Sequence, residues 1–422
     1  MEQFESVAQP AKPTIAASAE FVLLCVLLFA LPTKEVPKQV AAVLFVLVWA
    51  GRRFSLHALS RYRPDLIEMS LLALVAASVA STAINWPLPN GIKGLADTLN
   101  YTIVFWCIYR AGYDERQLRI LAYVIASGVL VGLAYGVFEL LKGYRQYLEF
   151  HSAGIVTQSS VYLAIATMAA IGFAWEVHRS RCRRAVRWFW NSSVLVMVCG
   201  LFAMGSRNAL VAFAMVLLML LMVLKDRRLW YAAALAIVAA VVLAVSLPSS
   251  FQAQRGFTKL KQVLSRESWD LADIERLQIW GVAIAHIKRG EHLVFGVGPR
   301  NFQSLDPNAV ERSERLRKRF KLTHAHQLYL GRLVEEGLFG LGAFLFFVSL
   351  AATALFRDWR AGDWQHWRWI GAFGALLVPC IAGLFNGAFF NEQAILAMAL
   401  IGIYLSSRSC VAKDFRVWTR AG

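Results

Sequence analysis

The chain has little of what a soluble protein needs. Only 17% of its 422 residues are charged, 58% are hydrophobic, and the mean hydropathy is +0.51. That balance excludes a soluble globule and fits an integral membrane protein. Acids are scarce: 27 Asp and Glu stand against 44 Lys and Arg, a net charge of +17. In a soluble protein this excess would point to nucleic acid. Here the basic residues sit mainly in short connectors between apolar runs, as the positive-inside rule requires, so no nucleic-acid partner is expected. The six cysteines are Cys25, Cys107, Cys182, Cys199, Cys380 and Cys410, and none falls in the one large polar stretch, which therefore has no disulfide framework. No Cys/His spacing suggests zinc, and there is no Asp-x-Asp motif. The start, Met1-Glu2-Gln3-Phe4-Glu5, lacks a basic n-region, so no cleavable signal peptide is expected. There is no internal repeat and no matched Gly/Pro interruption of two halves, which weakens a secondary-transporter reading.

What the chain has is apolar runs. A helix needs about 20 apolar residues to cross the hydrocarbon core. Candidate spans centre on 15–32, 36–51, 66–84, 95–109, 118–141, 159–177, 188–204, 208–224, 229–248, 337–356, 369–385 and 389–406. The expected fold is thus an all-α polytopic membrane protein of about 12 transmembrane helices. Every second connector is rich in Arg, including Arg52, Arg53, Arg61 and Arg63, then Arg110, Arg116 and Arg119, then Arg179 to Arg187. The others are poor in charge. This alternation places both termini in the cytoplasm.

Residues 249–327 interrupt the pattern with fourteen Lys or Arg against eight Asp or Glu. They are expected to form a large helical loop on the outer side of the membrane (periplasmic, on the resemblance below) between spans nine and ten, which divides the chain into 1–248, 249–327 and 328–422. Residues 273–288 read as an amphipathic helix with Ile274, Leu277, Trp280, Ile284 and Ile287 on its apolar face and Arg276 off that stripe. Gly296-Val297-Gly298-Pro299 reads as a turn, and Asp306-Pro307 as a helix start. The charged run with Glu311, Arg315, Glu314 and Lys318 reads as a solvated or lipid-facing helix. His326 opens the next helix, sharing one face with Tyr329, Leu330, Leu333 and Gly337. His324 points elsewhere. Gly337 and Gly340 would let another helix approach closely. A histidine at a membrane boundary is either an interfacial residue or, with its near-neutral pKa, a catalytic one. Arg207 and Arg145 lie on the outer side, as diphosphate ligands or as anchors at the interface. Ionisable residues within spans are few: Glu20, Glu68, Arg119 and Glu139, which is thin for an ion-coupled carrier.

His326-Gln327, nine residues, then Gly337-Leu338-Phe339-Gly340 resembles the histidine signature of bacterial O-antigen ligases. Arg276 with Trp280 resembles their Arg-x3-Leu element, with Trp in place of Leu. Ser206-Arg207 and Phe295-Gly296-Val297-Gly298 are similar to pieces found across the O-antigen ligase and polymerase superfamily. The resemblance covers essentially the whole chain. It implies a bacterial inner-membrane enzyme that transfers O-antigen polysaccharide from undecaprenyl diphosphate to the lipid A–core oligosaccharide. It also implies inverting transfer without metal or other cofactor. His326 would be the catalytic base, Arg276, Arg207 and Arg145 would hold the diphosphate, and Gln327, Tyr329, Gly337 and Gly340 would support the site. An O-antigen polymerase, a protein O-oligosaccharyltransferase and, from another class, a polysaccharide or lipid transporter are the alternatives.

Overall fold

A computed structural model describes residues 15–53, 63–88, 90–180, 182–226, 238, 271–290, 292–310, 322–364 and 366–407. Among them every regular element is helical. The first eight helices are α1 (Ile15–Ala30), α2 (Glu35–Arg53), α3 (Leu66–Ile84), α4 (Gly91–Ala111), α5 (Glu115–Leu141), α6 (Val156–Arg179), α7 (Arg184–Met204) and α8 (Arg207–Leu224). Then come α9 (Leu271–Arg289), two short 3-10 turns (Phe302–Ser304 and Pro307–Ala309), α10 (Leu328–Ala361), α11 (Trp367–Ala382) and α12 (Asn391–Ser406). Six of them, α3, α5, α6, α7, α8 and α10, are long and apolar enough to cross a membrane, and α11 and α12 are shorter apolar helices. Apart from Val238, the expected span 229–248 lies outside the described residues, as does the charged run 311–321.

Local chemistry sets the helix ends. Asp65 with Glu68 and Asp114 with Gln117 form reciprocal capping boxes at the starts of α3 and α5. Gly112, Gly205 and Gly362 close α4, α7 and α10 in left-handed backbone. On α8, Val211, Met215, Leu218 and Met222 recur at helical spacing and are all exposed, a stripe that suits lipid rather than water. In contrast, α12 is buried from Glu392 to Ser406, enclosed by α4, α6 and α11.

Polar contacts tie the helices into an up-and-down bundle with two unlike ends. At one end Glu20 of α1 pairs with Arg52 and Arg53 of α2, and Arg53 reaches the carbonyl of Ala111 at 3.1 Å. Arg110 pairs there with Glu68, and Arg368 with Glu115 at 3.0 Å. This end gathers the Arg-rich connectors, in the alternation expected from sequence. At the other end Lys38 pairs with Glu392, and Asn208 of α8 donates to the Phe385 carbonyl at 3.1 Å.

The ionisable residues noted within spans are paired, and there are more than the sequence reading counted. Besides Glu20 and Glu68, Glu139 binds Arg145 at 3.0 Å and Arg119 binds Glu115 at 3.2 Å. Arg332 and Glu336 form a buried pair at 2.6 Å, one turn apart on α10. Paired charges can enter a bundle interior at modest cost, which single charges cannot.

Three local expectations are corrected. The helix after the loop does not begin at His326. Gln327 caps α10 by accepting from Leu330 N–H, and His326 stands just before it with φ +49°. Nor is α10 continuous, because Gly337 breaks it at φ +69°, ψ −168°. His326 and Gly337 therefore do not share a helix face. Finally, the break at Gly337 receives the loop segment 293–298 and not a helix, while a Cβ at Gly340 would run into the Glu336 side chain of its own helix.

Candidate functional site

The site is assembled around that break. With α10 interrupted, the carbonyls of Val334 and Glu335 and the amides of Leu338 and Phe339 lose helical partners. The loop restores them: Val297 N–H donates to Val334 O and Gly298 N–H to Glu335 O, both at 2.9 Å. In return Leu338 N–H donates to Leu293 O at 2.8 Å and Phe339 N–H to Val294 O at 3.1 Å. Buried backbone groups must be paired, so the two segments specify each other. Asn85, at the end of α3, holds the Gly296 carbonyl at 2.9 Å, and Pro299 lies against Gly94 of α4.

Helix α9 lies over this junction. A second small core of Ile279, Val282, Ala283, Val297, Phe302, Leu305, Ala325 and Val334 joins it to the loop and to α10. The buried face is turned from the one expected. Leu277 and Ile284 are exposed, and the packed stripe runs through Ile279, Trp280, Ala283 and Ile287. At 100° per residue Arg276 belongs to this inner face, not off it. The correction matters because it turns Arg276 toward the histidines, and the positive charge of Arg276 acts on both His324 and His326. Trp280, one turn on, donates its indole N–H to the Ala325 carbonyl at 2.8 Å. Leu at this position could pack but could not donate.

His324 and His326 flank that carbonyl. Their rings lie 3.8 Å apart, so His324 does not point elsewhere: the left-handed backbone at His326 folds the chain back and brings it in. Burial pushes the imidazole of His326 down to about 4, helped by the adjacent His324 and by Arg276. His324 is lowered by the same two causes, burial and Arg276. Opposing this, a hydrogen bond with the Asn386 side chain favours protonated His326. The imidazole is therefore neutral at pH 7, and Asn386 fixes its orientation by holding one ring N–H.

His326 opens onto a cleft of about 550 Å³, mouth included, between α4, α10 and the start of α12. Asp97, Arg300, Arg332, Glu335 and Phe390 are among its other borders. Five non-glycine residues among those described have positive φ, and four belong here: Arg300 (58°), His326 (49°), Phe389 (68°) and Asn391 (44°). Such conformations are uncommon for non-glycine residues, and here they cluster along one cleft.

The other expected residues divide. Tyr329, on the first turn of α10, donates to the Cys380 carbonyl at 2.9 Å and so ties the histidine segment to α11. Arg207 is exposed at the start of α8, beside Asn208, which bonds Phe385, the neighbour of Asn386. Arg145 is placed apart, its guanidinium taken up by Glu139, Glu149 and the His151 carbonyl. Sequence reasoning missed Asn386, Arg300, Asp97 and Glu335. The Gly298-Pro299-Arg300 turn was the one local signal for any of them.

A search of curated proteins finds none that matches. Residues 192–346, from within α7 through His326 and past the break in α10, match the model of the family described as O-antigen ligase, which bears out the resemblance carried by the histidine motif.

Proposed function

We propose that this protein is an O-antigen ligase. It moves O-antigen polysaccharide from undecaprenyl diphosphate to a hydroxyl of the lipid A–core oligosaccharide. It sits in a bacterial inner membrane with about twelve spans, both termini cytoplasmic and the His326 cleft on the periplasmic side. The alternating Arg-rich end supports this orientation.

The observation that carries the reading is a neutral His326, oriented by Asn386, beside the cationic Arg276. Neutral imidazole takes the proton of the attacking hydroxyl, and that oxygen forms the new bond to the anomeric carbon. The bond from that carbon to the diphosphate breaks on the opposite face, which inverts the centre. The diphosphate leaves with the bonding electrons, and Arg276 and Arg207 stabilise the charge that develops. No metal is required for this, because guanidinium groups supply the cation. A bound diphosphate also offsets the charge of Arg276, which raises His326 toward the range where a base works best. Arg145, already paired with Glu139 and Glu149, contributes by ordering the outer connector.

The test is reconstitution: purified protein, undecaprenyl-diphosphate glycan and rough lipopolysaccharide, read by a gel shift to smooth lipopolysaccharide. Transfer that persists in chelator and without any ion gradient is expected. Extension of the lipid-linked glycan in place of the shift would mark a polymerase and overturn the proposal.

A further inference from the structure

The part of the cleft lined by Asp97, Arg300 and Glu335 has a different character. Arg300 donates from Nε to Asp97 Oδ2 at 2.6 Å and from Nη2 to Asn391 Oδ1 at 2.9 Å. Its backbone N–H donates to Glu335 Oε2 at 3.0 Å. These contacts come from α4, α10 and α12, and they hold Arg300 at φ +58°, so the side chain is set in place before any ligand arrives. Among the described residues, three groups of this wall have no hydrogen-bond partner: Asp97 Oδ1, Glu335 Oε1 and Arg300 Nη1.

We infer that Asp97, Arg300 and Glu335 form the subsite for the sugar that carries the attacking hydroxyl, and that it takes a neutral, hydroxyl-rich ring. The inference rests on the transfer reaction proposed above. A sugar hydroxyl both donates and accepts, so adjacent hydroxyls match a wall that offers acceptors and donors together. Charge points the same way. Two carboxyl groups flank one guanidinium, and just beneath them Arg332 and Glu336 cancel each other. The wall therefore has no excess of positive charge to hold a phosphate group, whereas the diphosphate finds Arg276 beside the histidines. Phe390 borders the same wall and gives the C–H face of a ring an apolar surface.

The test uses the full-length protein and two probes: dephosphorylated core oligosaccharide, followed by calorimetric titration, and inorganic diphosphate, followed as an inhibitor competing with the lipid-linked donor. Asp97→Asn and Glu335→Gln should each weaken oligosaccharide binding about tenfold or more, the usual loss when a hydrogen bond to a charged group is removed. They should leave the donor KM and inhibition by diphosphate within about twofold, and Arg276→Gln should do the reverse. Asp97→Glu, which keeps the charge, should recover part of the binding. A raised donor KM with unchanged oligosaccharide binding would overturn the inference, as would a wild-type protein that prefers the phosphorylated oligosaccharide. The titration needs no donor. Failure of transfer alone would thus overturn the proposed function, and failure of the titration alone would overturn this subsite.

Discussion

Gly296 and Gly337 interlock. Gly296 rests on the backbone of Glu335 and Glu336, Gly337 rests on that of Val294 and Phe295, and both have φ +69°. Neither has room for a Cβ, so the loop can enter the break in α10 only with glycine on each side. Gly337→Ala should therefore destabilise the protein by more than about 1 kcal/mol and abolish transfer. Gly342→Ala, two positions beyond Gly340 in open space, should be neutral or slightly stabilising. Thermal unfolding of both variants in one detergent, with the transfer rate, checks the contrast. Equal behaviour would remove the junction from the account.

The depressed His326 sets the pH dependence. A general base must be neutral, and the free site holds it so until the pH falls through about 4. The acid limb of kcat/KM should fall near that value and not near the ordinary 6.5. The limb of kcat should lie higher, because bound diphosphate stabilises the imidazolium. Steady-state rates across the pH range, in a buffer series of constant ionic strength, test both.

Arg276 contributes to that depression, so its removal has a sign. Arg276→Gln should move the kcat/KM limb upward while it weakens donor use. Arg276→Lys should restore the limb but not the donor KM, since an ammonium lacks the planar fork that grips two phosphate oxygens. A lysine variant with wild-type donor KM would show that charge alone suffices.

Trp280 positions the histidine segment through Ala325. Trp280→Phe keeps much of the bulk and loses the N–H, and should lower kcat by about five- to tenfold with donor KM unchanged. Loss of thermal stability with unaltered kcat would reduce Trp280 to packing.

These residues also show where the sequence was legible. His326 and Arg276 stood out because they lie in a polar stretch between apolar runs, and the runs themselves marked the helices. The break at Gly337 did not, because helical periodicity presumes an unbroken helix and φ is not written in Gly-Leu-Phe-Gly. The face of α9 was misjudged because Leu277 and Ile284 are apolar yet exposed. Asp97 meets Arg300, and Lys38 meets Glu392, across hundreds of residues, and no local pattern carries such pairings.

The central claim is that His326 takes the proton of the acceptor hydroxyl. The direct measurement is single-turnover transfer by His326→Ala from a saturating lipid-linked donor, with donor binding measured on the same preparation. The account predicts a loss of about 10²–10⁴-fold in rate with donor binding retained. Near-wild-type transfer by His326→Ala would contradict it.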